Sequence, residues 1–292
     1  MKARHGQFVA TIVLGLLVWW KPLWSLLHLA LSQEDYSYTV LVIAVSAALL
    51  LMERWPAAPE PRQSLAAAIL ALSAVAAGAW LNWQINYHDR GNRLSLSILL
   101  LVIFMLAAFF QVYGGSVFAR MRFPLFLLFL AVPLPQEAIN WLVVLLQHGS
   151  ADAAHVLFQL FRVPVSRNGL VFSFSNLDIE VAAECSGIRS STVLFVTTLV
   201  LSQVFLKSRW DRAIAVICSL PIAIAKNGVR IFTLSVLGEY VSTDWLEGSL
   251  HRKGGFIFFA LGMAMVCGVI WGLRRLESHK GLVSTFVGSS TK

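Results

Sequence analysis

The sequence predicts an all-α polytopic membrane protein with about eight transmembrane helices and a small extracytoplasmic β-hairpin element. Three observations carry that class. Of 292 residues, 58% are hydrophobic and only 13% charged, more apolar surface than a soluble domain of this size can hide. Several apolar runs approach the ~20 residues that cross a bilayer. The net charge of +8 sits largely in short loops between those runs, which reads as membrane topology and leaves no nucleic-acid partner to expect.

Taken in order, the apolar runs fall at 8–31, 36–52, 65–83, 94–113, 118–134, 188–206, 212–237 and 255–273. The first follows Met1-Lys2-Ala3-Arg4 and ends near a cleavage-like Ala30-Leu31-Ser32, but it is too long for a signal-peptide core and is read as a retained helix. Placing the N-terminus in the cytoplasm and alternating puts thirteen Lys and Arg against four acidic residues inside, and six against eleven outside. Basic residues decide orientation, so N-in/C-in is expected. The fifth run is the shortest in effect, because Pro133 and Pro135 end it. No repeat, low-complexity tract or linker divides the chain, so residues 1–292 read as one integral membrane domain.

The longest extramembrane stretch is 135–184, expected outside. Apolar residues at helical spacing over 137–161 predict one or two helices lying in the interface with lipid. The period then changes, and Val163–Val181 reads as short strands, with Asn168-Gly169 as the hairpin signal. This element runs straight into Glu180-Val-Ala-Ala-Glu-Cys-Ser-Gly-Ile-Arg-Ser-Ser191, where a polar segment meets an apolar helix.

Of three cysteines, Cys218 and Cys267 lie inside apolar runs and read as small buried hydrophobes; the odd count excludes a fully paired framework. Cys185 alone has polar neighbours. With the sixth span starting near Ser186, Cys185 lies at or beside the N-cap, where the helix dipole favours a thiolate. Arg189, four residues on, is placed to support that charge. The alternative is a structural cysteine at a helix start.

Ala225-Lys-Asn-Gly-Val-Arg-Ile231 puts an amide and two cations in an apolar span, where polar groups are expensive and mark function. Arg230 is 18 residues, about 27 Å of helix, beyond Arg212, which places it near the outer boundary with Cys185. Lys226 shares its face; snorkelling to headgroups is the competing reading. His251 precedes the eighth span on the same side, suited to moving a thiol proton. Cys with His, and Arg as oxyanion or carboxylate clamp, form a coherent acyl-transfer set. His148 and His155 lack company for a metal, so no metal and no cofactor are expected.

Three blocks, Val181-Ala-Ala-Glu-Cys-Ser-Gly-Ile-Arg-Ser-Ser191, Asn227-Gly-Val-Arg230 and His251-Arg-Lys-Gly-Gly255, resemble those of the exosortase/archaeosortase family. Asp35-Tyr-Ser37, the proline blocks at 123–135 and Val163-Pro-Val…Arg167-Asn-Gly169 are also similar, extending the likeness over about 35–273. One departure stands out: Tyr38 occupies a position where family members often carry His. The resemblance implies a membrane-embedded cysteine transpeptidase acting on exported proteins whose C-terminal sorting signal is a short motif, an apolar helix and a basic tail. It implies Cys185 as nucleophile, Arg230 as clamp and His251 as general acid/base, with Arg189, Lys226, Asn227 and Glu184 in support. Two rivals remain at this level: a cysteine protease using water as acceptor, and a non-enzymatic transporter or assembly protein for envelope polymers.

Overall fold

The computed structural model describes residues 2–53, 64–84, 92–241 and 255–289. Within these, the side chains of Glu184 and Cys185 lie outside the described residues, as does all of His251. The chain divides into two compact units, Met1–Ile139 and Asn140–Lys292.

The first unit opens with α1 (Lys2–Val18) and α2 (Trp20–Ser32), bent by 76° at Trp19. The cause is Pro22. It has no N–H for the carbonyl four residues back, that of Val18, and its ring crowds that oxygen. Within lipid such a carbonyl needs another donor. Asn82 on α4 (Leu65–Gln84) supplies it, with Nδ2 donating to Val18 O at 3.0 Å. Asn82 Oδ1 accepts the Ser97 hydroxyl at 2.6 Å, and the fully buried Trp19 donates its indole N–H to Ser97 O at 2.9 Å. Ser97 lies on α5 (Asn92–Tyr113), so one polar chain ties the bend to both partners. Gly78 leaves room for the indole: a Cβ there would run into the Trp19 ring.

A 3-10 turn (Glu34–Tyr36) leads to α3 (Tyr38–Met52). After α5 the chain breaks into α6 (Gly115–Arg120), α7 (Arg122–Leu127) and a 3-10 turn (Leu128–Ala131) before α8 (Gln136–Leu160). Pro124 cannot donate to Arg120 O, which separates α6 from α7, and its own carbonyl accepts the Ser46 hydroxyl at 2.6 Å. Pro133 and Pro135 fall in the break between the 3-10 turn and α8. Tyr36 pins this corner by donating to Leu134 O at 3.1 Å, and the buried Tyr38 meets the Leu134 backbone as well.

The second unit holds most of α8, three short strands β1 (Ser166–Asn168), β2 (Val171–Ser173) and β3 (Asp178–Glu180), a 3-10 turn (Ala183–Ser186), and α9 (Ile188–Phe205), α10 (Arg209–Tyr240) and α11 (Gly255–Ser289). The strands pair antiparallel in the order β1-β2-β3. The β1–β2 turn differs by one residue from the Asn168-Gly169 centre expected. Asn168 pairs with Val171, so Gly169 and Leu170 are the central residues, and Gly169 takes φ +61°. Glycine at the first central position is what a II′ hairpin turn demands. Helices α9, α10 and α11 pack together around Leu194, Ala223 and Val266. At the opposite end of that bundle from Cys185, the Glu277 carboxylate accepts the backbone N–H groups of Lys207 and Ser208, holding α11 to the start of α10.

Among the described residues, five helices are long and apolar enough to cross a membrane, or up to seven if each bent pair counts as one span. The eight expected runs are thus not eight straight spans. The first is broken at Trp19, the fifth is fragmented by its prolines, and α3 has 15 residues, short of a full crossing. The region 137–161, expected as one or two helices, forms part of the single helix α8. Cys267 also departs from expectation: it is exposed on the outside of α11, where the helix is mostly uncovered by protein, whereas Cys218 packs partly into the α9–α11 core.

Candidate active site

The stretch ending at Cys185 is held from both flanks. Phe172 of β2 is fully buried and meets Phe158 of α8 edge-on at 5.2 Å, within a cluster that includes Ala151, Ala154, Val181 and Ile231. Arg167 of β1 pairs with Asp152 of α8 at 2.7 Å and lies over the Phe172 ring. Gln147, also on α8, donates its side-chain amide to Val181 O, four residues before Cys185. On the other flank, Asn176 donates through its backbone and side chain to Glu239 of α10. The small sheet is therefore a bracket that delivers residues 182–186 to the top of α9.

Cys185 lies in the 3-10 turn Ala183–Ser186, and α9 begins only at Ile188. This corrects the expected N-cap. Gly187 occupies the cap with φ +68°, a left-handed conformation that breaks the helix path between Cys185 and Arg189. The two residues accordingly do not share a helical face, and Arg189 is exposed on α9.

Gly187 is the point on which α10 closes. A Cβ on Gly187 would lie 2.9 Å from Asn227 Oδ1, so only glycine admits the amide this closely. Asn227 is 1% exposed and donates Nδ2 to Ser150 Oγ on α8 at 3.0 Å. Beside it, Gly228 lets α8 and α10 touch: a Cβ there would fall 2.5 Å from Ala153 Cβ. This is small-residue packing with a polar bond across it, the usual adhesive between helices in lipid. Lys226 is 2% exposed and donates to Ser190 Oγ at 2.6 Å; Ser190 in turn donates to Gly187 O at 3.0 Å. Lys226 therefore turns inward and does not snorkel. Arg230, one helical turn on, is half-buried and close enough for its charge to act on Lys226.

The structure thus brings Lys226, Asn227 and the Cys185 backbone turn into one assembly, with Arg230 one turn further along α10. Of the other expected residues, Glu184 sits in the same 3-10 turn, and His251 lies outside the described residues. Tyr38, the departure from the family pattern, belongs to the first unit, where it meets the Leu134 backbone. Sequence reasoning missed Ser150 and Ser190. Their signals were present: Ser150 sits in the small-residue run Gly149-Ser-Ala-Asp-Ala-Ala154, and Ser190 follows Gly187 by three residues, within reach of its carbonyl. Among the described residues no group of three or more His, Cys, Asp and Glu could hold a metal.

Comparison with known proteins gives one family. The model described as "Transmembrane exosortase (Exosortase_EpsH)" matches residues 19–268, including the strands, the Cys185 turn and all of α9 and α10. No curated protein and no solved structure matches the chain. The family suggests a membrane transpeptidase or protease, generally of the cysteine type. With the match covering most of its length, this multi-pass chain belongs to the transmembrane exosortase family.

Proposed function

We propose that the protein is a membrane cysteine transpeptidase that cleaves the C-terminal sorting signal of exported proteins on the outer face of a bacterial inner membrane. The observation that carries this reading is the clamp on the Cys185 turn. Two consecutive buried polar residues of a membrane helix converge on Gly187, two residues from the thiol: Lys226 through the Ser190 hydroxyl, and Asn227 by packing against it. Buried polar groups at such cost mark a functional site.

In the proposed reaction the Cys185 thiolate attacks a peptide carbonyl carbon, and Arg230 steadies the oxyanion. The tetrahedral adduct collapses, breaking the C–N bond, and His251 protonates the departing amine of the helical tail. A second nucleophile then attacks the thioester, giving its proton to His251 and releasing the thiolate. The substrate's own transmembrane helix presents its motif at a fixed depth, which reduces the entropy lost on attack. Arg230 and Arg189 make the site welcoming to an acidic motif, with Lys226 buried behind them and Glu184 next to the nucleophile in sequence.

The test is coexpression with an exported reporter carrying motif, helix and basic tail. Processing is expected with the native chain and absent with Cys185→Ala; processing that survives the substitution defeats the enzyme reading and favours a transport or assembly role. The mass of the processed C-terminus names the acceptor: an added group means transpeptidation, a free carboxylate means water.

A further inference from the structure

Lys226 is a charged side chain only 2% exposed. An ammonium enclosed in protein loses hydration that a neighbouring carboxylate ordinarily offsets. Among the described residues no carboxylate pairs with Lys226. Its hydrogen-bond partner is the neutral Ser190 hydroxyl, and the charge that acts on it, Arg230, is of the same sign. Nor does the stem escape toward water, since α11 closes over it: a Cβ on Gly262 would stand 2.8 Å from Lys226 Cδ and 3.4 Å from Leu194.

The direction of the hydrogen bonds shows where the charge is spent. Lys226 has only protons to give, so Ser190 Oγ accepts from it and turns its own proton to Gly187 O. That carbonyl also receives the Ser191 amide at 2.9 Å, the first helical bond of α9. A charge-assisted donor in a low-dielectric setting strengthens the bond downstream of it. The left-handed turn after Cys185 is therefore locked by a buried cation, whose charge is relayed through Ser190 to a carbonyl two residues from the thiol in sequence.

We infer that Lys226 is a positioning residue for the nucleophile: through Ser190 it fixes the Gly187 carbonyl, and its charge favours the ionised form of Cys185. The inference rests on the reading of Cys185 as nucleophile and adds to it the residue that sets the thiol's ionisation.

The experiment uses the full-length chain with Cys218→Ser and Cys267→Ser, leaving Cys185 as the sole thiol, purified in detergent. Its alkylation rate with iodoacetamide is followed across pH, alongside thermal melting. Lys226→Met is expected to raise the midpoint by about one pH unit and slow alkylation about tenfold at neutral pH. Ser190→Ala moves it the same way by less, and Lys226→Arg restores much of the rate. A purely structural role predicts lower melting with the midpoint unmoved, and that result overturns the inference. Should Lys226→Met fail to fold, Ser190→Ala carries the same test. If Cys185 in the parent chain reacts like an ordinary free thiol, the nucleophile reading falls and this inference with it. If the parent is reactive and the variants match it, only the role of Lys226 falls.

Discussion

Asn227 Nδ2 donates to Ser150 Oγ across 3.0 Å, joining α10 to α8 at the point where α10 also meets Gly187. One amide thus connects the helix under the sheet, the helix carrying the cations and the turn beside the cysteine. Replacing it with Leu leaves the Ser150 hydroxyl buried without its donor. Asn227→Leu is expected to cost about 1–3 kcal/mol, read as a lower melting temperature, and to reduce reporter processing at least tenfold. Ser150→Ala should cost less, because it removes a hydroxyl and leaves Asn227 its remaining contacts.

Gly187 is constrained by conformation and by space. With φ +68° and Asn227 Oδ1 at 2.9 Å from any added Cβ, Gly187→Ala pays about 1–2 kcal/mol for the backbone alone. Folded Gly187→Ala protein is expected to show slowed alkylation of Cys185, while alkylation of Cys218 and Cys267 stays unchanged.

The contact of Gly228 with Ala153 predicts a reversal. Gly228→Ala inserts a methyl 2.5 Å from Ala153 Cβ and should destabilise the chain by about 1–3 kcal/mol. Adding Ala153→Gly should return much of that loss, a non-additivity that melting curves of the four chains measure.

In the first unit, Asn82 answers a carbonyl that Pro22 leaves open. Asn82→Leu is therefore expected to destabilise the native chain by about 1–3 kcal/mol. In a Pro22→Ala background, where a backbone N–H is restored for Val18, the same substitution should cost less. Equal losses in the two backgrounds would show that the bend has another cause.

Much of this was legible in the sequence because the membrane makes polar residues conspicuous. Lys226, Asn227 and Arg230 stood out in an apolar run; all three lie on α10, and Lys226 and Asn227 reach Ser190 and Gly187 after the Cys185 turn. The strand region declared itself by a change of period at Val163. The misses have local causes. Cys185 was placed at or beside the N-cap of α9, but the left-handed φ of Gly187 starts the helix at Ile188, two residues later than that reading needs. The bend at Trp19 was encoded in Pro22, four residues past Val18, but a hydropathy run does not register a missing N–H. Ser150 and Ser190 resemble any helical serine until the helices are assembled. Cys267 was misjudged because an apolar run does not say which of its faces meets protein and which meets lipid.

The central claim is that Cys185 carries the substrate as a thioester. The most direct measurement is the intact mass of the chain bearing Cys218→Ser and Cys267→Ser, purified after coexpression with a reporter carrying a sorting signal. The account predicts a fraction heavier by the reporter's processed part, released by hydroxylamine and absent in the Cys185→Ser chain. A reporter processed in full by the Cys185→Ser chain would contradict it.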